Sequence, residues 1–116
     1  MLVQINIPVW KTCSVNDNYE CSIYGEIRRK NNQRPVKSFT HKNTGYNTIT
    51  LSKKGVLKTY YVHRIIALSH ITNHDHFIEV DHITGDKTNN QMTNLRWVTH
   101  QQNIDAYWAR VNNENY

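Results

Sequence analysis

The sequence predicts an α+β fold: a small antiparallel N-terminal sheet or hairpin over residues 8–62, then a helix and a strand–loop–strand–helix unit over residues 63–111. Three observations carry that expectation. Two β-prone runs flank a Ser52-Lys53-Lys54-Gly55 turn. The apolar period changes from two to helical at Arg64. Two short apolar pieces, Phe77–Asp81 and Leu95–Val98, then frame a long polar loop ahead of a last amphipathic segment. The 116 residues are enough for one compact domain with one modest core.

From Tyr19 to Arg28 the chain is β-prone at both ends, with Gly25 as the bend between two short extended pieces. Val36–Thr40 reads as a further short strand after a turn ending in Pro35. Between Tyr46 and Leu51 the side chains alternate: Tyr46, Thr48 and Thr50 fall on one face, Asn47, Ile49 and Leu51 on the other. Val56–Val62 returns as the partner strand. Arg64–His70 is a helix with an apolar stripe of Ile65, Ile66, Leu68 and Ile71. The Ile83–Thr93 loop contains Gly85. Thr99 caps a final helix from His100 to about Arg110, because its hydroxyl accepts a hydrogen bond from a first-turn amide. Ile104, Tyr107, Trp108 and Val111 form that helix's apolar face, and the last few residues are expected to fray.

Composition narrows the function classes. Hydrophobic residues make up 38% of the chain, at the polar end of the globular range, and the net charge of +5 suits an anionic partner. Cys13 and Cys21 are the only cysteines and make no CxxC pair, which excludes a four-cysteine zinc site. A disulfide between them is geometrically possible, and reduced thiols in an intracellular protein are the default expectation. The apolar run Met1–Val9 is short, is interrupted by Asn6 and Pro8 and lacks a basic leader, so it does not read as a signal peptide. No stretch approaches the ~18 apolar residues of a membrane span.

Four residues carry the chemistry: Asp81, His82, Asn94 and Asn103. If the two short strands pair, Asp81 comes close to Val98 and hence to the start of the final helix, where Asn103 sits. A carboxylate and an amide oxygen then converge on one hard cation, Mg²⁺ or Mn²⁺. Consecutive strand residues point to opposite faces, so Asp81 and His82 share a site where the strand bends or ends, as the polar loop from Ile83 suggests. Histidine accepts a proton near neutral pH, which makes His82 a base for activating water. Asn94 braces the loop by bonding across to backbone near His82.

The run from Val80 through Asp81-His82-Ile83-Thr84-Gly85 to Asn89-Asn90, continuing through Asn94-Leu95-Arg96-Trp97-Val98-Thr99 to Asn103, resembles the HNH homing endonucleases of phage introns. It is most similar to the group with Asn in place of the third His. Gly45-Tyr46 and Val62 to Ala67 are similar to the segment preceding that motif, and Trp10, Tyr19, Ser22, Gly25 and Ile27 resemble a small module often fused to it. The resemblance implies a ββα-metal fold, one divalent ion, DNA as partner, and cleavage leaving 5′-phosphate and 3′-hydroxyl ends in a phage-encoded, intracellular enzyme. It implies His82 as general base, Asp81 and Asn103 as metal ligands, and Asn94 as the central structural asparagine. Related enzymes carry a further C-terminal helical region that reads additional DNA, with no counterpart before Tyr116. Nicking, relaxed recognition, dimerisation and help from a partner protein all stay open. A DNA-binding accessory protein with a decayed centre is the competing expectation, and the retained Asp81, His82, Asn94 and Asn103 argue against it.

The remaining candidates are weighed by chemistry. Arg28, Arg29, Lys30, Arg34, Lys37 and Lys42 cluster around the N-terminal strands, and Lys53, Lys54 and Lys58 around the hairpin; beside a nuclease site these read as contacts to DNA backbone. Arg96 is free to meet a phosphate while Trp97 enters the core. His63 and Arg64 belong either to the frame of the site or to phosphate binding. His70, His74 and His76 fit no common zinc spacing and read as solvated loop residues, and His100 as a helix-start residue without a role.

Overall fold

Apolar side chains from both halves of the chain meet on one short helix, and that helix organises everything around it. A computed structural model describes residues 8–114. The expectations for Met1–Val9 and for fraying of the last residues fall largely outside that range.

Eleven elements follow in order: β1 (Trp10–Thr12), β2 (Tyr19–Ser22), β3 (Ile27–Arg29), β4 (Phe39–Thr40), β5 (Asn47–Lys53), β6 (Val56–Tyr61), α1 (Val62–His70), β7 (Glu79–His82), a 3₁₀ turn (Met92–Asn94), β8 (Leu95–Val98) and α2 (His100–Glu114). The strands form three small antiparallel sheets, β1-β2-β3, β4-β5-β6 and β7-β8. Val62, Ile65 and Ile66 recur at helical spacing on α1 and are buried, with Ala67 beside them. Around them gather Cys13, Tyr19, Cys21 and Ile27 from the first sheet and its approach, Ile49 and Leu51 from the second, and Val80 and Leu95 from the third. The helix stops at Ile71, whose extended backbone still sends its N–H to the Ala67 carbonyl.

The hairpin forms because Lys54 and Gly55 both take positive φ, 50° and 79°, the pair of left-handed residues that a two-residue turn between twisted strands requires. The turn is therefore tighter than Ser52–Gly55: Ser52 and Lys53 are strand residues paired with Leu57 and Val56. Alternation holds along β5, where Ile49 and Leu51 face the core. The Ser52 N–H donates to the Tyr19 hydroxyl at 2.9 Å and the Asn16 amide to the Ser52 carbonyl at 3.2 Å, fastening the hairpin to the first sheet.

Several expectations are corrected. Strand β1 was not anticipated, because three residues are too few to show a period. The Val36–Thr40 strand shrinks to Phe39–Thr40, since Pro35 has no N–H to give and Val36 bonds back to Ile27 instead. Leu68 does not join the helical stripe; it is 44% exposed, while His63 takes an inward position. Strand β7 begins at Glu79, two residues later than Phe77. Tyr107 and Trp108 stay exposed at 55% and 54%, bordering the open cleft between α2 and the third sheet instead of entering the core. His70 is no solvated loop residue: its Nε2 lies 2.8 Å from the Cys21 carbonyl oxygen. Cys13 and Cys21 are buried free thiols. Among the described residues no helix is long and apolar enough to cross a membrane.

Gly25 joins the first sheet to the loop after β7. Its φ is +88°, and a Cβ there would stand 2.9 Å from the Asn90 carbonyl oxygen. The Met92 N–H donates to the Ile23 carbonyl at 2.7 Å on the same seam. Gly25→Ala is expected to destabilise the protein by about 1–3 kcal/mol through left-handed strain and the backbone clash together. Urea unfolding measures this, and a change below about 0.5 kcal/mol would show that the seam yields freely.

Candidate active site

The pairing of β7 with β8 sets Glu79 opposite Val98, Asp81 opposite Arg96 and His82 opposite Leu95. The strand ends at His82, and its last residues enter a cleft of about 320 Å³ against α2. Tyr46, Glu79, Asp81, His82, Lys87, Asn103 and Arg110 are among its lining residues. Helix α2 starts beside β8 because Thr99 caps it: the Thr99 hydroxyl accepts from the Gln102 N–H at 3.1 Å, and the Gln102 side chain accepts from the Thr99 N–H at 3.0 Å. That reciprocal cap fixes where Asn103, one turn later, faces the strand.

The loop that follows His82 is held by Asn94. Its Oδ1 accepts from the Thr84 N–H at 3.0 Å, its Nδ2 donates to the Asn89 carbonyl at 2.9 Å, and its own carbonyl accepts from the Ile83 N–H at 2.8 Å. Next to Asn89, the buried Asn90 turns its Oδ1 to His82 Nε2 at 2.8 Å. A carbonyl oxygen only accepts, so Nε2 carries the proton and Nδ1 is the ring's basic nitrogen. Burial lowers the His82 pKa from its ordinary value, against a raising effect of the Asn90 bond and the Asp81 charge. The imidazole also packs on aromatic neighbours, with ring centres 4.9 Å from His63 and 5.8 Å from Tyr46.

His63 is 6% exposed and its Nδ1 has no hydrogen-bond partner. Burial, with the nearby His82 and Arg64 adding to it, pushes its pKa down to about 3, so it stays neutral at working pH. Arg64 donates to the Ile78 carbonyl at 2.9 Å and lies over the Trp97 ring.

Asp81 is 2% exposed, and both oxygens are engaged: Arg96 Nε donates to Oδ2 at 3.0 Å and Arg110 Nη2 to Oδ1 at 3.3 Å. Asn103 donates through Nδ2 to Glu79 Oε1 at 3.1 Å, while Glu79 Oε2 lies 2.7 Å from His100 Nδ1. The Asn103 bond foremost, with His100 behind it, holds the Glu79 carboxyl below its usual range. His100 thus has a partner, contrary to its reading as a helix-start residue without a role. Among the described residues no protein donor reaches Asn103 Oδ1, and no group of three or more His, Cys, Asp or Glu could hold a metal ion. The donor set still fits a hard divalent ion that keeps most of its waters: one carboxylate oxygen and one amide oxygen bordering the same cleft.

The other sequence-derived candidates separate. Arg29, Lys30 and Lys54 line a second hollow of about 440 Å³ with Asp17, Asn18, Asn31 and Ser52. Arg28 turns aside, bonded to Glu20 at 3.1 Å and stacked 3.7 Å over Trp10. Lys53 pairs with Asp17 at 2.7 Å on the surface. Arg96 is committed to Asp81. Sequence reasoning assigned no site role to Asn90, Glu79, Tyr46 or Arg110; Asn89-Asn90 and Gly45-Tyr46 entered only through the family resemblance, and nothing local marks the other two.

A family model described as HNH endonuclease matches residues 60–104. The chain is 37% identical over 93 residues to DNA endonuclease I-HmuI of Bacillus phage SP01, covering 80% of this chain and 53% of that one. It is 38% and 30% identical to two uncharacterised HNH endonucleases of Acanthamoeba polyphaga mimivirus, over 83% of this chain in each case and 28% and 25% of theirs. A solved structure titled "DNA binding and cleavage by the HNH homing endonuclease I-HmuI" superposes with a TM-score of 0.77 at 36% identity, covering 87% of this chain and 58% of that chain. The chain thus spans about half the length of the phage relative and about a quarter of the mimiviral ones.

The neutral, buried His63 makes stability depend on pH. Unfolded, its imidazole takes a proton below about 6.5, whereas folded it resists protonation down to about 3. Its contribution is therefore complete above 6.5 and is lost as pH falls below that value. About 2 kcal/mol should disappear by pH 5, at 1.36 kcal/mol per unit. Urea midpoints at pH 7 and pH 5 measure the loss, and His63→Phe should reduce it; an unchanged slope in that variant would remove His63 as the cause.

Proposed function

We propose that this chain, whose residues 60–104 match a family model described as HNH endonuclease, is a metal-dependent endonuclease that hydrolyses DNA phosphodiester bonds. The observation that carries the reading is a strand end delivering Asp81 and His82 into one cleft faced by Asn103. His82 Nδ1 accepts the proton of the attacking water, and Asn90 keeps the other ring proton on Nε2 and fixes the ring's angle. The neutral His63 and Tyr46 pack against that ring without adding a charge that would compete for the proton. Asp81 and Asn103 are the residues to hold one Mg²⁺ or Mn²⁺. Bound there, it supplies stabilisation of charge on the phosphate and the departing 3′ oxygen. The products carry 5′-phosphate and 3′-hydroxyl ends.

DNA is the proposed partner, held through its backbone. Arg29, Lys30 and Lys54 converge on one hollow from two different sheets, which makes them the better phosphate contacts. Arg64 retains donors beyond its single bond to Ile78 and adds to the positive surface. Arg28, Lys53 and Arg96 already satisfy carboxylates and contribute less.

A supercoiled-plasmid assay with Mg²⁺ or Mn²⁺, with and without chelator, tests the activity. His82→Ala should lower the rate by about 10²–10⁴-fold while leaving fold and DNA affinity in place, and Asp81→Ala should abolish metal-supported cleavage. Plasmid left intact by the wild type in every metal would overturn the enzyme reading in favour of a DNA-binding accessory protein; wild-type rates in His82→Ala would remove His82 as the base.

Binding should weaken steeply with salt as phosphate neutralisation releases counterions. Replacing Arg29, Lys30 and Lys54 by Ala should flatten the log–log salt slope by ~1 per residue. Fluorescence anisotropy on a labelled duplex reads this, and an unchanged slope would place the backbone contacts elsewhere.

A further inference from the structure

The Arg110 guanidinium lies between the cleft and Asp81. It donates through Nη2 to Asp81 Oδ1 at 3.3 Å and through Nη1 to the His82 and Ile83 carbonyls, both at 3.4 Å. Its stem lies so close over Gly85 that a Cβ there would meet Arg110 Cδ at 2.8 Å and Nε at 2.9 Å. Four separate groups thus define one seat for one positive charge.

Asp81 carries a second arginine, and the two are unequal. Arg96 sits directly across the ladder and holds Oδ2 at 3.0 Å, from the side away from the cleft, where it borders a different hollow with Trp97 and Gln102. Arg110 makes only long contacts, is 30% exposed and lines the cleft itself. A divalent ion approaching Asp81 through that cleft meets the Arg110 guanidinium on the oxygen it would take. Two guanidinium charges and a divalent ion around one carboxylate, in a partly dry site, repel one another strongly. Arg96 is the more exposed, at 49%, but bonds outside the cleft; Arg110, longer-bonded and on the cleft side, is the one free to leave.

We infer that Arg110 is a positioning residue that fills the cation's place on Asp81 and is displaced from it when a divalent ion binds, so that Arg110 sets the ion concentration at which the site loads. The inference rests on the Asp81–Asn103 metal reading above. While seated, the arginine keeps a nearly inaccessible carboxylate neutralised, which avoids the large cost of an unpaired buried charge. Displaced, it is a mobile cation at the mouth of a cleft proposed to receive phosphate.

The test is ion binding without DNA. Mn²⁺ affinity is measured by counting free ion with electron paramagnetic resonance in wild type, Arg110→Gln, Arg110→Met and Asp81→Ala, each checked by thermal melting. Removing the competing charge should tighten Mn²⁺ binding ~5-fold in either Arg110 variant, the equivalent of a partly exposed ion pair. A purely structural role for Arg110 would leave affinity unchanged or weaken it, and either result overturns the inference. Arginine Nε resonances of the wild-type protein give a reading independent of whether the variants fold. The Arg110 signal should move during a Mg²⁺ titration with the same midpoint as binding, and a stationary signal at saturating Mg²⁺ overturns the inference. If wild type and Arg110 variants bind ion no better than Asp81→Ala, the metal reading itself falls; if Asp81→Ala loses binding while the Arg110 variants bind no tighter than wild type, only the displacement of Arg110 is refuted.

Discussion

Asn94 closes the loop after β7 on itself, and the arrangement of the cleft depends on that closure. Three bonds tie its side chain and carbonyl to residues 84, 89 and 83. They bring the Asn89-Asn90 corner back under the end of the strand, where Asn90 reaches His82. A loop of this length without secondary structure leaves backbone groups to satisfy, and a buried asparagine with a donor and an acceptor at fixed separation satisfies one of each. The tautomer of His82 thus follows from a residue that never touches it.

The same loop is braced from behind by the N-terminal sheet. Gly25 admits the Asn90 backbone at a distance no side chain would allow, and Ile23 accepts the Met92 N–H. Residues 8–62 therefore do more than carry basic side chains: they form the wall against which the site's loop is set. This explains why the core cluster runs without a break from Cys13 and Cys21 through α1 to Val80 and Leu95. A mobile hinge between the two parts would cost the site its geometry.

How much was legible in the sequence follows from the range of each signal. The hairpin, both helices and β8 were legible because alternation, helical spacing and a Thr99 cap are local patterns. Asp81, His82, Asn94 and Asn103 stood out through spacing, but the expected approach of Asp81 to Val98 was two residues out of register: Glu79 pairs with Val98 and bonds to Asn103. Glu79 and Arg110 did not stand out, because what makes them matter lies 24 and 29 residues away in sequence, on the other side of a packed interface. Leu68, Tyr107 and Trp108 were misplaced for a different reason: an apolar stripe says that a face is apolar, and says nothing about whether the core reaches it. Arg96 illustrates the limit most clearly. Alternation correctly turned it away from Trp97, but only the register shows that this direction ends on a carboxylate.

That register changes the electrostatic account of the molecule. A net charge of +5 suggests a surface coated with cations waiting for phosphate. Several of the arginines and lysines are instead spent internally: Arg28 on Glu20, Lys53 on Asp17, Arg96 and Arg110 on Asp81. Of those left, Arg29, Lys30 and Lys54 share one hollow, Arg64 keeps further donors and Lys87 borders the cleft. At the cleft, the Asp81 carboxylate is already met by two guanidinium groups, one fixed by the ladder and one held at longer range from the helix. An unpaired charge buried to this extent is costly, so an internal counter-charge accompanies it, and anything else that binds there must take the place of one such charge. The long α2, reaching two turns beyond Asn103, is what supplies a counter-charge of that kind.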